Sequence, residues 1–255
     1  MSFEACAALV ERADPLRFRA AMAAPVSARR ILFPLYAFNV EVARAPWVTD
    51  EAMIAEMRLQ WWRDALEEIA EGKPVRKHEV VDALADILDA EGARCLDGLI
   101  AARRWDVYKD AFEDQGHFDD YIDATSGHLM WTAARLLGPA EAGTVRDFAY
   151  AVGIANMFQA ISALEAQGRK PLVAGSTEAV KALAQGALAR MGGAKAARKG
   201  VSARSGAALV AGYHARPVLN AVIKSPGLVA QDALSPNPAR DSLRFANVGL
   251  RGWWR

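Results

Sequence analysis

Apolar residues return at three- and four-residue steps along almost the whole chain, and no run alternates with a period of two. That spacing places apolar side chains on one face of an α-helix, while a half-buried strand needs strict alternation. The pattern predicts helices over 4–12, 15–24, 27–44, 50–71, 76–91, 93–115, 118–137, 140–165, 176–191 and 203–224. With 255 residues, 53% of them hydrophobic, the chain can fill one large helical core. The expectation is therefore an all-α fold: a single helical domain over 1–225 and a tail over 226–255 that holds proline and tryptophan.

Local signals agree with these segments. Pro46 should close the third helix, because the residue before a proline is pushed out of helical geometry. Thr49, followed by Asp50 and Glu51, reads as an N-cap with acids in the first turn. "EGKP", "LGPA" and "KSPG" mark further breaks. Two stretches differ from the rest. Arg190 to Gly206 is basic and glycine-rich, which reads as a mobile, solvated connection or, alternatively, a contact for an acidic surface. In the tail, beyond Pro226, Pro236 and Pro238, Phe245, Leu250, Trp253 and Trp254 are interleaved with Arg244, Arg251 and Arg255. Such a segment docks on its own body, or lies on a partner or an anionic membrane surface.

Several function classes are excluded. A net charge of +1 gives no reason to expect nucleic acid. Cys6 and Cys95 lie far apart with no CxxC, which suits a reducing compartment and suggests neither zinc nor a disulfide framework. Glu4, Glu11 and Asp14 are out of place in a secretory signal, and no run of apolar residues reaches membrane-spanning length. The expected location is cytoplasmic, with room for peripheral contact on the inner face of a membrane. Neither GxGxxG after a strand, GxxxxGK[ST] nor GxSxG occurs. His78, His117, His128 and His214 are scattered and read as surface or packing residues.

Four segments in consistent order, "ILFPLYAFNVEVA", "RLQWWRDALEEI", "YIDATSGHLMWTAARLLG" and "YAVGIANMFQAISALEAQGRKPL", resemble the squalene/phytoene synthase family over roughly 14–175. The resemblance implies a helical isoprenoid-synthase fold around a central cavity. It also implies head-to-head joining of two prenyl diphosphates, with magnesium held by two aspartate clusters. Ionising an allylic diphosphate requires its charge to be neutralised by a Lewis acid, and magnesium demands hard oxygen ligands in near-octahedral geometry.

Those ligands are missing here. Laid from Tyr36, the family pattern Y-A-F-C-R-x-x-D-D-x-x-D keeps Tyr36, Ala37 and Phe38. It places Asn39 and Val40 on the cysteine and arginine, and Ala43, Arg44 and Trp47 on the three aspartates. A dication roughly 5 Å from the Arg44 guanidinium, at an effective dielectric near 20, would be repelled by about 6–7 kcal/mol. Alternatively Arg44 swings out to solvent and leaves the position empty. For the second cluster, counting back from Gly168-Arg169 puts the aspartates on Ala160 and Leu164, and the register from Gly153 does no better. Carboxylates elsewhere, Asp82/Asp86/Asp89, Asp106/Asp110/Asp114 and Asp119/Asp123, read as solvated or capping groups.

Within the family, "AFNVE" and R-x-Q-W-W resemble a divergent branch that includes a mitochondrial assembly factor for respiratory complex I and its bacterial relatives. The expected function is thus non-catalytic, with complex I subunits or assembly intermediates as partners and no metal or cofactor. The alternatives are an active magnesium-dependent prenyltransferase or a protein that binds a lipid or isoprenoid. Cavity-lining candidates are Tyr36, Asn39, Val40, Ala43, Trp47, Asn156, Phe158 and Gln159, unless these are simply core. Phosphate contacts, under the enzymatic alternative, would come from Arg44, Arg58 and Arg169, with Arg29, Arg30 and Lys170 in support. Trp61 and Trp62 read as helix-packing residues, and Arg58 and Asp64 as either interhelical links or surface.

Overall fold

The computed structural model describes residues 2–49, 51–234 and 238–254. Fourteen α-helical segments are described: α1 (Ser2–Ala13), α2 (Pro15–Ala23), α3 (Val26–Arg44), α4 (Ala52–Ala70), α5 (Glu79–Ala85), α6 (Ala90–Arg103), α7 (Trp105–Tyr108), α8 (Gln115–Ile122), α9 (His128–Leu137), α10 (Ala142–Ala166), α11 (Thr177–Ala196), α12 (Gly206–Leu209), α13 (Ala215–Lys224) and α14 (Pro238–Arg251). The all-α expectation holds. Among the described residues the extended pairing is a single isolated bridge, Ala140 to Val201. No described helix is long and apolar enough to cross a membrane.

Two helices form the centre. α10 has buried residues on every side, from Thr144 and Val145 through Tyr150–Ala155 to Phe158 and Ile161. A helix apolar all round belongs inside a bundle, not on its surface. α3 is similar, buried continuously from Leu32 to Val40. α1 packs on α3 and α5, α4 on α6, and α11 on α10 and α13. Trp62 is buried edge-on to Phe38 at 5.5 Å, and Trp61 lies against Trp62 and His78, so both tryptophans join helix to helix.

The helix boundaries show where local signals decided and where packing did. α3 ends at Arg44 and passes into a 3-10 turn carrying Pro46. Thr49 Oγ1 accepts the Glu51 N–H at 3.1 Å just ahead of α4. Asp50, Pro236 and Arg255 lie outside the described residues. The helix expected over 93–115 stops early: α6 ends at Arg103 and the single turn α7 at Tyr108, Lys109 follows with a left-handed φ of 60°, and 110–114 is irregular. The helix expected over 118–137 is interrupted by a π-turn at Asp123–Gly127. Such a widened turn re-aims side chains and is frequent at functional sites; here it points Thr125 and Ser126 towards the interior.

The connection expected over 190–206 is instead largely helical, since α11 continues to Ala196. Met191 and Ala194, one turn apart, are buried on the same face. Their burial offsets the roughly 1 kcal/mol that each of Gly192 and Gly193 costs a helix. The tail docks on the body. Asp241 of α14 is buried and accepts from Arg19 at 3.2 Å and from the Tyr213 hydroxyl at 3.0 Å. Trp253 is buried edge-on to Phe148 at 5.0 Å.

Candidate functional site

A cavity opens between the C-terminal half of α3, the α6–α7 corner, the π-turn and the outer half of α10. Its main lobe, the smaller of two at about 290 Å3 but the one that α10 lines along five positions, is lined by Asn39, Ala43 and Trp47 from α3 and its 3-10 turn. Opposite stand Gly153, Asn156, Met157, Ala160 and Leu164 of α10. Those five positions follow the three- and four-residue rhythm of one helical face. A second lobe of about 590 Å3 shares Arg17, Asn39, Ala43, Trp47, Arg103 and Asn156 with the first and adds Val40, Arg44 and His214.

The expected lining residues divide accordingly. Asn39, Val40, Ala43, Trp47 and Asn156 face the cavity. Tyr36, Phe158 and Gln159 line neither lobe. Tyr36 is buried beneath Arg17, whose guanidinium lies 5.7 Å from its ring centre, and Phe158 is fully buried core. Two residues beyond Asn156, a side chain points about 200° away around the helix, so Phe158 turns its back on the cavity. Of the expected phosphate contacts, Arg169 lines the main lobe and Arg44 the second, while Arg58 is exposed and lines neither. Arg44 extends towards solvent, 54% exposed, with Glu41 at 3.8 Å. Lys170 lines the main lobe. Arg29 bonds the carbonyls of Ala24 and Met22.

The position of the missing carboxylates is the informative part. Ala43, Trp47, Ala160 and Leu164, which take four of the family's aspartate positions, all line the main lobe. Two facing helices thus meet across the cavity where a metal clamp would stand, and they present methyl, indole and isobutyl groups. Among the described residues no three His, Cys, Asp or Glu side chains come together as a metal site. Magnesium does not fit this donor set.

Two of the acids that reach the cavity, Asp106 and Asp14, are committed to other groups. Asp106 is held by Arg103 Nη1 at 3.0 Å, the Tyr121 hydroxyl at 2.9 Å and Arg169 Nη1 at 3.4 Å. Burial works against the charge of Arg103, but Tyr121 and Asp106 more than offset it and hold its pKa above the ordinary value. Burial, reinforced by Asp106 against the opposing Arg103, raises the Tyr121 phenol. Asp14 caps α2 through the Arg17 N–H and pairs with the Arg17 guanidinium. Asp110 sits exposed at the rim.

Asp106, Arg103 and Tyr121 were not singled out in the sequence as site residues. Asp106 read as a solvated member of an i,i+4 series, and only the approach of Arg169 from the far end of α10 makes it a hub. That approach has a local cause. α10 ends in a Schellman-like turn in which Gly168, at φ 76°, takes the left-handed conformation and the Arg169 N–H reaches back to Leu164 O at 3.1 Å. The turn folds Arg169 inward, over the Trp47 ring at 5.2 Å. The other acid series cap or pair: Asp89 caps α6 and binds Arg135, Asp114 caps α8, Asp119 accepts from Tyr150, and Asp123 pairs with Arg146.

His214 lines the second lobe, 5% exposed, with Nε2 2.8 Å from Asn156 Oδ1. Burial first, then Arg17, push its pKa from 6.5 to about 4, against the pull of Asp241 and Asp14. An imidazole kept neutral in the fold takes up a proton more readily when unfolded. Its contribution is therefore complete above pH 6.5 and lost as the pH falls towards 4. The loss should approach about 3 kcal/mol. Urea unfolding at stepped pH should show a flatter profile for His214→Gln than for the parent between those limits; parallel profiles would refute it.

Comparison with known proteins gives the same outline. The family model described as squalene/phytoene synthase matches residues 10–172. A Drosophila melanogaster protein, NADH dehydrogenase (ubiquinone) complex I assembly factor 6 homolog, is 32% identical over 148 residues, 56% of this chain and 42% of that protein. The Mus musculus assembly factor 6 is 24% identical over 134 residues, 52% of this chain and 40% of its own length. The chain thus spans about two fifths of these curated relatives. A dehydrosqualene synthase crystal structure superposes with a TM-score of 0.79 at 16% identity, covering 97% of this chain and 95% of that one. For the squalene synthase HpnC of Alicyclobacillus acidocaldarius the TM-score is 0.73, also at 16% identity, with 88% and 93% covered. At that identity the structures establish the fold alone.

Proposed function

Because the chain belongs to the squalene/phytoene synthase family, we propose that it is a non-catalytic member that aids assembly of respiratory complex I. One observation carries the first half: Ala43, Trp47, Ala160 and Leu164 line the cavity at positions where the family pattern places metal-binding aspartates. Without those oxygens, the leaving diphosphate of a prenyl substrate has no divalent counter-charge, and its ionisation is not promoted. Arginines can bind a phosphate, but binding substrate and transition state equally does not accelerate the chemical step.

The second half is supported by the relatives named as complex I assembly factor 6. The partners on this reading are complex I subunits or assembly intermediates. The site of action is the membrane face from which that complex is built, reached by peripheral contact. Deletion of the gene should lower NADH oxidation by isolated membranes and the amount of assembled complex I, while succinate oxidation stays unchanged. Restoring the intact chain should restore both. NADH oxidation and assembly that survive deletion unaltered would contradict the role.

A further inference from the structure

The net charge of +1 conceals a division along the chain. Residues 177–255 carry twelve lysines and arginines against three acids, whereas 1–176 carry nineteen against twenty-seven. The C-terminal part is thus +9 and the remainder −8. Of the three acids in the basic part, Asp241 is buried and bonded to Arg19 and Tyr213, which leaves Glu178 and Asp232 at the surface. Exposed cations line the tail and the turn that meets it: Arg244 and Arg251 on α14, Arg198 and Lys199 in a 3-10 turn, and Arg204 just beyond. The Arg198 guanidinium lies 6.0 Å from the Trp254 ring centre, which joins that turn to the end of the tail. Among the described residues, none of these five cations has a carboxylate within ion-pair distance. One turn earlier in α11, burial first and then the like charge of Arg216 bring the Lys195 pKa down to about 8. Cations here crowd against cations.

α14 sets apolar side chains beside them. Two residues along a helix is about 200° of rotation, so Leu243 stands opposite the buried Asp241 and Leu250 opposite the buried Val248. The two leucines, seven residues apart, share one outward stripe and are 73% and 87% exposed. Each is followed by an arginine, Arg244 and Arg251. A leucine exposed singly is ordinary. Two aligned on the outermost line of a helix, with a row of arginine alongside, have the layout of a helix that lies in a membrane interface. RNA or an acidic protein surface would engage the arginines and give the leucines nothing to enter.

We propose that the outer face of α14, with the cations of 198–204 beside it, docks on an anionic lipid bilayer. The leucines enter the boundary between headgroups and acyl chains, and the arginines meet lipid phosphates. The proposal rests on the peripheral membrane contact of the assembly role and gives that contact its face and its chemistry. The net negative charge of 1–176 disfavours turning other faces to the same surface, so the docking is oriented.

Flotation of the full chain with vesicles of phosphatidylcholine, alone or mixed with phosphatidylglycerol, tests this. Binding should require the anionic lipid and weaken as salt is raised. At about fivefold per cation near an anionic surface, Arg244→Ala with Arg251→Ala should lower the partition roughly twentyfold. Leu243→Ser with Leu250→Ser should lower it by roughly tenfold or more, with the net charge unchanged. Arg58→Ala with Arg94→Ala, exposed on α4 and α6, removes the same charge and should leave binding as it was. Thermal unfolding confirms that the three variants fold. Equal binding to vesicles without phosphatidylglycerol, no binding to either kind, or a control pair as damaging as the α14 arginines would each overturn the proposal. Binding that ignores the leucine pair would place the face against a polyanion such as RNA or an acidic protein instead, and would overturn it too. The vesicles hold no complex I subunit, so their result and that of the deletion experiment can fail independently.

Discussion

Replacing Arg103 by alanine should lower the unfolding free energy by about 3–5 kcal/mol, the cost of stranding a buried partner of opposite charge. Asp106, whose side chain is only 12% exposed, would lose its 3.0 Å contact with Arg103 and keep Tyr121 and the more distant Arg169. Because those two remain, the lower end of the range is expected. Replacing both partners, as Arg103→Met with Asp106→Leu, should recover only part of the loss, since the buried Arg169 and the Tyr121 hydroxyl are then left without Asp106. Urea unfolding of the two single variants and the double variant closes the cycle. A loss below about 1 kcal/mol for Arg103→Ala would mark the cluster as an ordinary surface pair.

Truncation of Trp253 should be comparably costly, about 3–5 kcal/mol as for other buried tryptophans. Its ring is 3% exposed, meets Phe148 edge-on, and lies so close over Gly206 that a Cβ added there would stand 2.9 Å from Trp253 Cδ1. The glycine makes the notch that receives the indole. Losing the indole should also loosen α14, so limited proteolysis should cut Trp253→Ala between 226 and 238 faster than the parent chain. Leu250, 87% exposed on the same helix, is the internal control: its truncation should stay within roughly 0.5 kcal/mol. Equal stability of the two variants would show that the tail is not anchored as described.

Both predictions rest on features that the sequence carried unequally. Helical spacing was sufficient to read the all-α body, and proline and glycine marked the breaks at 72–74, 138–139 and 225–227. It was not sufficient where tertiary packing competes with local preference. Gly192 and Gly193 sit inside α11 because Met191 and Ala194 bury beside them. The chain leaves the helical path at Lys109, although nothing between 104 and 114 is a strong breaker.

The cavity was legible by motif register. Counting back from Gly168-Arg169 identified Ala160 and Leu164, and laying the first motif from Tyr36 identified Ala43 and Trp47; all four face one lobe. Asp106 was not legible, because an acid four residues from another acid looks alike on any exposed helix. Its meaning depends on a turn more than fifty residues away that folds Arg169 back against it. Two of the histidines followed the simpler expectation, since His78 caps α5 and packs on two tryptophans and His117 stacks against Trp105 and Phe112, whereas His214 lines the second lobe.

The most direct measurement is a radiolabelled turnover assay of the purified chain with farnesyl or geranylgeranyl diphosphate and magnesium. With alanine, tryptophan, alanine and leucine standing across the cavity, we expect neither pyrophosphate release above the uncatalysed background nor a coupled hydrocarbon product. A coupled product that appears with magnesium and vanishes with EDTA would contradict the account, since ligands for the metal would then have to exist where these four side chains stand.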